Sequence, residues 1–147
     1  MSEHRKESFT GKAHKNVVYA CFGCFSNTGI VAGLGSLEVV KELGLGEVAV
    51  GCLAALSTGV KSVIEKTRAA KKVITVDGCQ MECARKVVEG AGFKHHKSIV
   101  LVRDIRMTKR ALNEDIEGEL KPLTAYISPE EVERTKRIII EALQDGS

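Results

Sequence analysis

Residues 72–83 read KVITVDGCQMEC, a run of β-branched residues that passes directly into a polar segment with two cysteines. A short apolar run of this composition predicts a buried β-strand over Lys72–Asp77. Apolar residues at helical spacing follow it, which predicts a helix from about Gln80 to Gly90. A strand that leads straight into a helix is the unit from which parallel sheets are built.

Three other segments have the strand pattern, and they cover residues 16–21, 47–51 and 98–103. Helices are predicted after the first strand up to Gly44, after the second from a cap at Ser57 or Thr58, and from Ser128-Pro129 through Leu143. Apolar strands that alternate with helices indicate a parallel sheet covered on both faces. We therefore expect a three-layer, Rossmann-like α/β fold with a four-stranded, mostly parallel sheet in the order 2-1-3-4.

The length and composition of the chain fit one soluble globular domain. The sequence has 147 residues, of which 44% are hydrophobic and 28% charged, as is usual for such domains. We assign residues 16–147 to this domain and the polar residues 1–15 to a flexible N-terminal arm. The net charge of +3 is modest and aromatic residues make up only 4%, which weighs against nucleic-acid binding.

The sequence also bears on location. The longest apolar stretch, Val48–Leu56, is far shorter than the about 20 residues that a membrane-spanning helix requires. The N-terminus lacks the apolar core of a secretory signal. We expect a cytoplasmic protein with no membrane contact. Neither a protein partner nor an oligomeric state is indicated.

The cysteines are the most informative feature. In a reducing compartment, cysteines are used for metal binding or thiol chemistry more often than for disulfides. All of them closely follow predicted strands, whose carboxyl ends share one edge of a parallel sheet, where ligand sites form. Helix N-termini at that edge favour thiolates. The five candidate metal ligands are Cys21, which ends the first predicted strand, Cys24 just beyond it, Cys52 after the second strand, and Cys79 and Cys83 after the third.

Several chemistries suit such a cluster. Four thiolates around zinc make a closed tetrahedral site, and this metal, in a structural, carrier or sensing role, is our leading interpretation. An iron–sulfur cluster uses the same donors. The Cys21-x2-Cys24 spacing after a strand also suits a redox or sulfur-transfer enzyme. Whether the chain is an enzyme stays open.

Charged residues near this edge are further candidates. Asp77 ends the third predicted strand and Asp104 directly follows the fourth. A carboxylate there can orient metal ligands from outside the coordination shell or simply bond to the N–H groups of a turn. The basic residues Arg103, Arg106, Lys109 and Arg110 follow the fourth strand. They form either a solvated face or a site for an anionic substrate or partner.

The segment Val76-Asp-Gly-Cys-Gln-Met-Glu-Cys83 resembles the DGC-domain family, which is described as zinc-binding and named for its Asp-Gly-Cys motif. The segment Cys21-Phe-Gly-Cys-Phe-Ser-Asn-Thr-Gly29 is similar to the family's opening Cys-Ser-Gly and Ser-Asn-x-Gly motifs, and Cys52-Leu-Ala is similar to the middle cysteine. The similarity covers residues 16–105. Phe22 departs from the small polar residue expected there, and Cys24 stands where the family accepts other small residues. The resemblance implies a four-cysteine metal site on Cys21, Cys52, Cys79 and Cys83, with Cys24 as a possible spare thiol.

Overall fold

The computed structural model describes residues 14–115 and 121–146. Its sheet has four strands in the order β2-β1-β3-β4, and every neighbouring pair is parallel. This confirms the predicted α/β fold and strand order. The arm predicted at residues 1–15 lies outside the described residues, apart from its last two positions. The strands are β1 at Asn16–Ala20, β2 at Val48–Val50, β3 at Val73–Asp77 and β4 at Lys97–Val100.

Helices cover both faces of the sheet. The α-helices of the described part are α1 at Asn27–Leu43, α2 at Leu53–Ser57, α3 at Lys61–Ala69, α4 at Cys83–Gly90, α5 at Leu101–Asp104 and α6 at Pro129–Gln144. Short 3₁₀ turns lie at Leu112–Asp115 and Leu123–Ala125. Helices α1 and α6 pack on one face, and α2, α3 and α4 pack on the other. In the part of the chain that the structure describes, no helix is both long and apolar enough to cross a bilayer.

The strands are apolar throughout because the side chains of each strand alternate between two buried faces. On β1, Val18 packs into the cluster under α1 and α6, while Val17 and Tyr19 pack into the cluster under α2 and α4. All three are fully buried. The central strand is therefore fixed by packing from both sides, and so is the point at which its carboxyl end emerges.

The predicted start of the helix after β3 was wrong. Helix α4 begins at Cys83, and Glu82 before it has a left-handed backbone with φ of 50°. Residues 78–82 therefore form a loop, so Cys79 lies in that loop and Cys83 is the first residue of the helix. Helical periodicity cannot detect a single left-handed residue, which interrupts the helix without altering the spacing of apolar residues.

Two other boundaries also differ from the sequence prediction. Strand β4 ends at Val100, not at residue 103, because the Asp104 carboxylate accepts the Val100 N–H at 2.8 Å and the chain turns into α5. The hydroxyls of Ser57 and Thr58 do not cap the next helix. Both hydroxyls donate instead to the carbonyl of Ala54 in the preceding turn. Such local bonds of Ser and Thr side chains are an alternative to capping the next helix.

Candidate metal centre

Each cysteine follows the carboxyl end of one of three adjacent strands. Cys21 comes directly after β1, Cys52 precedes α2 as its N-cap residue, and Cys79 and Cys83 follow β3. Because β1 lies between β2 and β3, Cys21 lies between the other two strand ends. Parallel strands thus bring residues about 30 positions apart to one edge of the sheet.

Cys21 lies at the centre of this edge and is partly buried. Its Sγ accepts the main-chain N–H of Gly78 at 3.4 Å, which ties the end of β1 to the loop after β3. Burial raises the pKa of the Cys21 thiol, and N–H groups of Gly23 and Gly78 oppose that rise. The nearby charges of Asp77 and Cys79 raise the pKa further, so Cys21 and Cys79 are close enough for their charges to interact.

The loop after β3 packs tightly on the first turn of α1. A Cβ atom on Gly78 would lie 2.7 Å from the carbonyl carbon of Thr28, so this contact requires glycine. The turn itself is capped by Ser26, whose hydroxyl accepts the N–H of Gly29 at 3.2 Å. The N-terminus of a 17-residue helix, with its partial positive charge, therefore lies against the cysteine loops.

Asp77 fixes the helix that Cys83 begins. Its carboxylate is buried, with 1% exposure, and accepts the N–H groups of Ala84 at 2.6 Å and Arg85 at 3.1 Å. These are free N–H groups of the first turn of α4, so Asp77 caps that helix from the preceding strand. Burial raises the pKa of the Asp77 carboxyl, and the two N–H groups oppose that rise. Its predicted action on metal ligands stays a prediction, but it does orient the main chain beside Cys83.

Lys109 is a site residue that strand periodicity did not identify. Its ammonium donates to the Sγ of Cys79 at 3.6 Å. The Asn27 side chain holds the segment that carries it, because it donates to the Thr108 carbonyl at 2.9 Å and accepts the Arg110 N–H at 2.6 Å. The only sequence signal for Lys109 is the basic cluster after β4, which predicts either a solvated face or an anion site.

The other predicted residues have different surroundings. Cys24, Cys52 and Cys83 are exposed. Burial is the main cause of the raised pKa of Tyr19, and the charge of Cys52 adds to it. Asp104 binds Val100 and Arg103 and borders a cavity with Lys72 and His96 at the amino edge of the sheet. Its predicted role at the metal site stays a prediction.

Thiolates are the donors that zinc and other soft metals prefer, so the chemistry of this edge fits such an ion. Within residues 14–115 and 121–146, no three His, Cys, Asp or Glu side chains are close enough together to hold one metal ion. In the described arrangement Cys21 and Cys79 are partly buried, whereas Cys52 and Cys83 are exposed. The ligand set therefore stays a prediction.

Comparison with known proteins identifies the family. The model of the DGC domain matches residues 17–139, which extends the similarity past residue 105 and into α6. No curated protein and no solved structure matches the chain. The match covers most of the sequence, including every cysteine, so the chain belongs to the DGC domain family.

Proposed function

We propose that this protein binds a soft metal ion, zinc, through cysteine thiolates at the carboxyl edge of its sheet, in a structural, carrier or sensing role. The observation that carries the proposal is the placement of all five cysteines after three adjacent parallel strands. Cys21 packs against the core, but Cys24, Cys52 and Cys83 are exposed, so packing does not account for their placement at this edge.

The proposed ligands are Cys21, Cys52, Cys79 and Cys83. Four thiolates around a divalent ion carry a net charge of −4 + 2 = −2, which needs compensation from the protein. The ammonium of Lys109 at 3.6 Å from Cys79 supplies one positive charge. The N-terminus of α1, against which the Gly78 loop packs, supplies a partial one.

Metal binding would then draw the exposed Cys52 and Cys83 towards the partly buried Cys21 and Cys79. Such closure couples metal affinity to folding, because the unfolded chain cannot hold the four ligands together. We therefore expect removal of the metal to lower the free energy of unfolding.

The first test is anaerobic purification of the untagged protein, followed by elemental analysis and a visible spectrum. About one zinc per chain without colour is the expected result. Iron together with broad absorption near roughly 400 nm would indicate a thiolate-bound iron–sulfur cluster instead of zinc. Absence of metal with five reactive thiols would reject the proposal and favour redox or sulfur-transfer chemistry.

Two single variants test the ligand set. Cys79→Ser is expected to lower the zinc content and the melting temperature together, because serine is a poor ligand for zinc. Cys24→Ser is the matched control, and we expect it to keep both. Unchanged zinc content in Cys79→Ser would remove Cys79 from the set, whereas zinc loss in Cys24→Ser would add Cys24.

A further inference from the structure

A shallow, open apolar groove of about 520 Å³ lies beside the cysteine edge. It lies between the Cys21–Phe25 loop and the segment that carries Lys109. We call it the Phe pocket, and its principal lining residues are Phe22, Cys24, Phe25, Lys109, Ala111 and Asn113. Its volume is within the range of about 300–1,000 Å³ that is usual for small-molecule sites.

The first wall of the Phe pocket is held rigidly. Phe22 has a left-handed backbone with φ of 48°, a conformation that costs a bulky residue free energy and persists only where the surroundings hold it. Its ring packs on α1 at Gly33, where a Cβ atom would overlap the ring. Phe22 is therefore fixed as a wall, although 44% of its surface remains exposed.

The second wall is bound to the first through the main chain. The Leu112 N–H donates to the Phe25 carbonyl at 2.9 Å, and Ser26 pairs with Ala111 in an isolated β-bridge. The buried side chain of Asn27 bonds to the same segment on both sides of Lys109. Hydrogen bonds thus hold the main chain of both walls together, while the side chains of Phe25, Lys109 and Asn113 are exposed at the surface.

The chemistry of the lining is an apolar body with one cation. Phe25 is 62% exposed, and large apolar side chains exposed together mark a binding site. Among the residues that the structure describes, no carboxylate pairs with the Lys109 ammonium, whose hydrogen bond goes to Cys79. Arg110 turns instead to the ring of Tyr126, at 5.7 Å from its centroid. Lys109 is therefore the cation that the Phe pocket offers.

We propose that the Phe pocket binds a small organic carboxylate with an apolar tail. The tail lies between Phe22 and Phe25, and the carboxylate binds the Lys109 ammonium, with the Asn113 side chain at the same rim. Apolar walls with a few polar groups that fix orientation are the usual design of small-molecule sites. This binding does not require the metal.

The experiment is calorimetric titration of octanoate into the purified full-length protein, with acetate and octylammonium as matched probes. We expect octanoate to bind, and acetate and octylammonium to bind at least about tenfold more weakly, since one lacks the tail and the other has the wrong charge. Equal affinity for octanoate and octylammonium, or no binding of octanoate, would overturn the proposal.

Two variants with matched controls locate the site. Lys109→Met is expected to weaken octanoate binding about tenfold, as loss of a charge-assisted hydrogen bond does, while Lys61→Met on exposed α3 has no effect. Because Lys109 also contacts Cys79, Phe25→Ala serves as the second variant. We expect it to weaken binding about fivefold through lost apolar contact, while Leu45→Ala at the opposite edge leaves the affinity unchanged. Octanoate affinity that survives both pocket variants contradicts the proposal.

The zinc content of each variant is measured in parallel, so failure of the Phe pocket and failure of the metal site are distinguishable. If the purified protein contains no zinc but still binds octanoate, only the proposed metal site is refuted. Sedimentation at several protein concentrations tests the competing occupant. A dimer that Phe25→Ala dissociates would assign the Phe pocket to a second copy of the chain and overturn binding of a small carboxylate.

Discussion

Asp77→Asn tests whether the buried carboxylate holds the helix that begins at Cys83. The wild-type carboxylate accepts two N–H groups, from Ala84 and Arg85. An asparagine of the same shape has one acceptor oxygen and one NH₂ group. One main-chain N–H of α4 therefore loses its acceptor and faces a donor, without any cavity being created.

The magnitude follows from these contacts. A buried N–H without an acceptor costs about 1–3 kcal/mol, and loss of a negative charge at a helix N-terminus costs about 0.3–1 kcal/mol. Burial of the charged carboxylate is unfavourable, as its raised pKa indicates. The neutral asparagine avoids this cost, which offsets part of the loss. We expect Asp77→Asn to lower the free energy of unfolding by about 1–3 kcal/mol, or the melting temperature by about 2–10 °C.

The assay is urea unfolding followed by circular dichroism on chelator-treated protein, so that metal binding does not contribute to the difference. Asp145→Asn is the control, because it makes the same chemical change at an exposed position after α6. Equal stability of Asp77→Asn and wild type would refute the capping role. A loss in Asp145→Asn as large as that in Asp77→Asn would show that the effect is a general one of charge.

Two other predictions concern the same loop. Gly78→Ala would place a Cβ atom 2.7 Å from the Thr28 main chain, so we expect it to lower the free energy of unfolding by about 1–3 kcal/mol. Gly90→Ala is the control and should not destabilise the protein, because its Cβ atom would meet nothing within 4 Å. Equal urea midpoints for the two variants would contradict the close approach of Gly78 to Thr28. The stability lost in Asp77→Asn should grow as the pH falls from neutral towards about 4, the ordinary pKa of an aspartate. Because its carboxyl pKa is raised, the folded wild type binds a proton before the unfolded chain does and gains stability over that range, whereas the variant binds none there. A loss that shrinks instead would contradict the raised pKa of Asp77.

The strands themselves and the placement of the cysteines after them were predictable because both depend on local patterns, whereas the order 2-1-3-4 is a tertiary feature that no local pattern determines. An apolar run such as Val73–Asp77 is recognisable as a strand from composition alone, and parallel connection then fixes the edge at which Cys79 emerges. The helix start at Cys83 was not predictable. It depends on the left-handed Glu82 and on the bonds that Asp77 makes seven and eight residues later, and neither changes the periodicity of the sequence.

Lys109 shows a second limit. It lies 30 residues from the thiol that it contacts, and its position depends on bonds from Asn27 to the segment on either side of it. Contacts across more than 80 residues are made by tertiary structure and leave no mark in local spacing. The basic cluster indicated an anion site as one alternative, but only the fold indicates which cation faces the cysteines.

The Asp-Gly-Cys sequence joins three separate physical requirements in consecutive positions. Asp77, as the last residue of β3, accepts the first N–H groups of α4. Gly78 allows the loop to pack against the first turn of α1 and donates its N–H to Cys21. Cys79 then presents its thiol beside Lys109. Because each position meets a different constraint, single substitutions in the motif should fail differently: at Asp77 and Gly78 through stability of the metal-free protein, and at Cys79 through metal content.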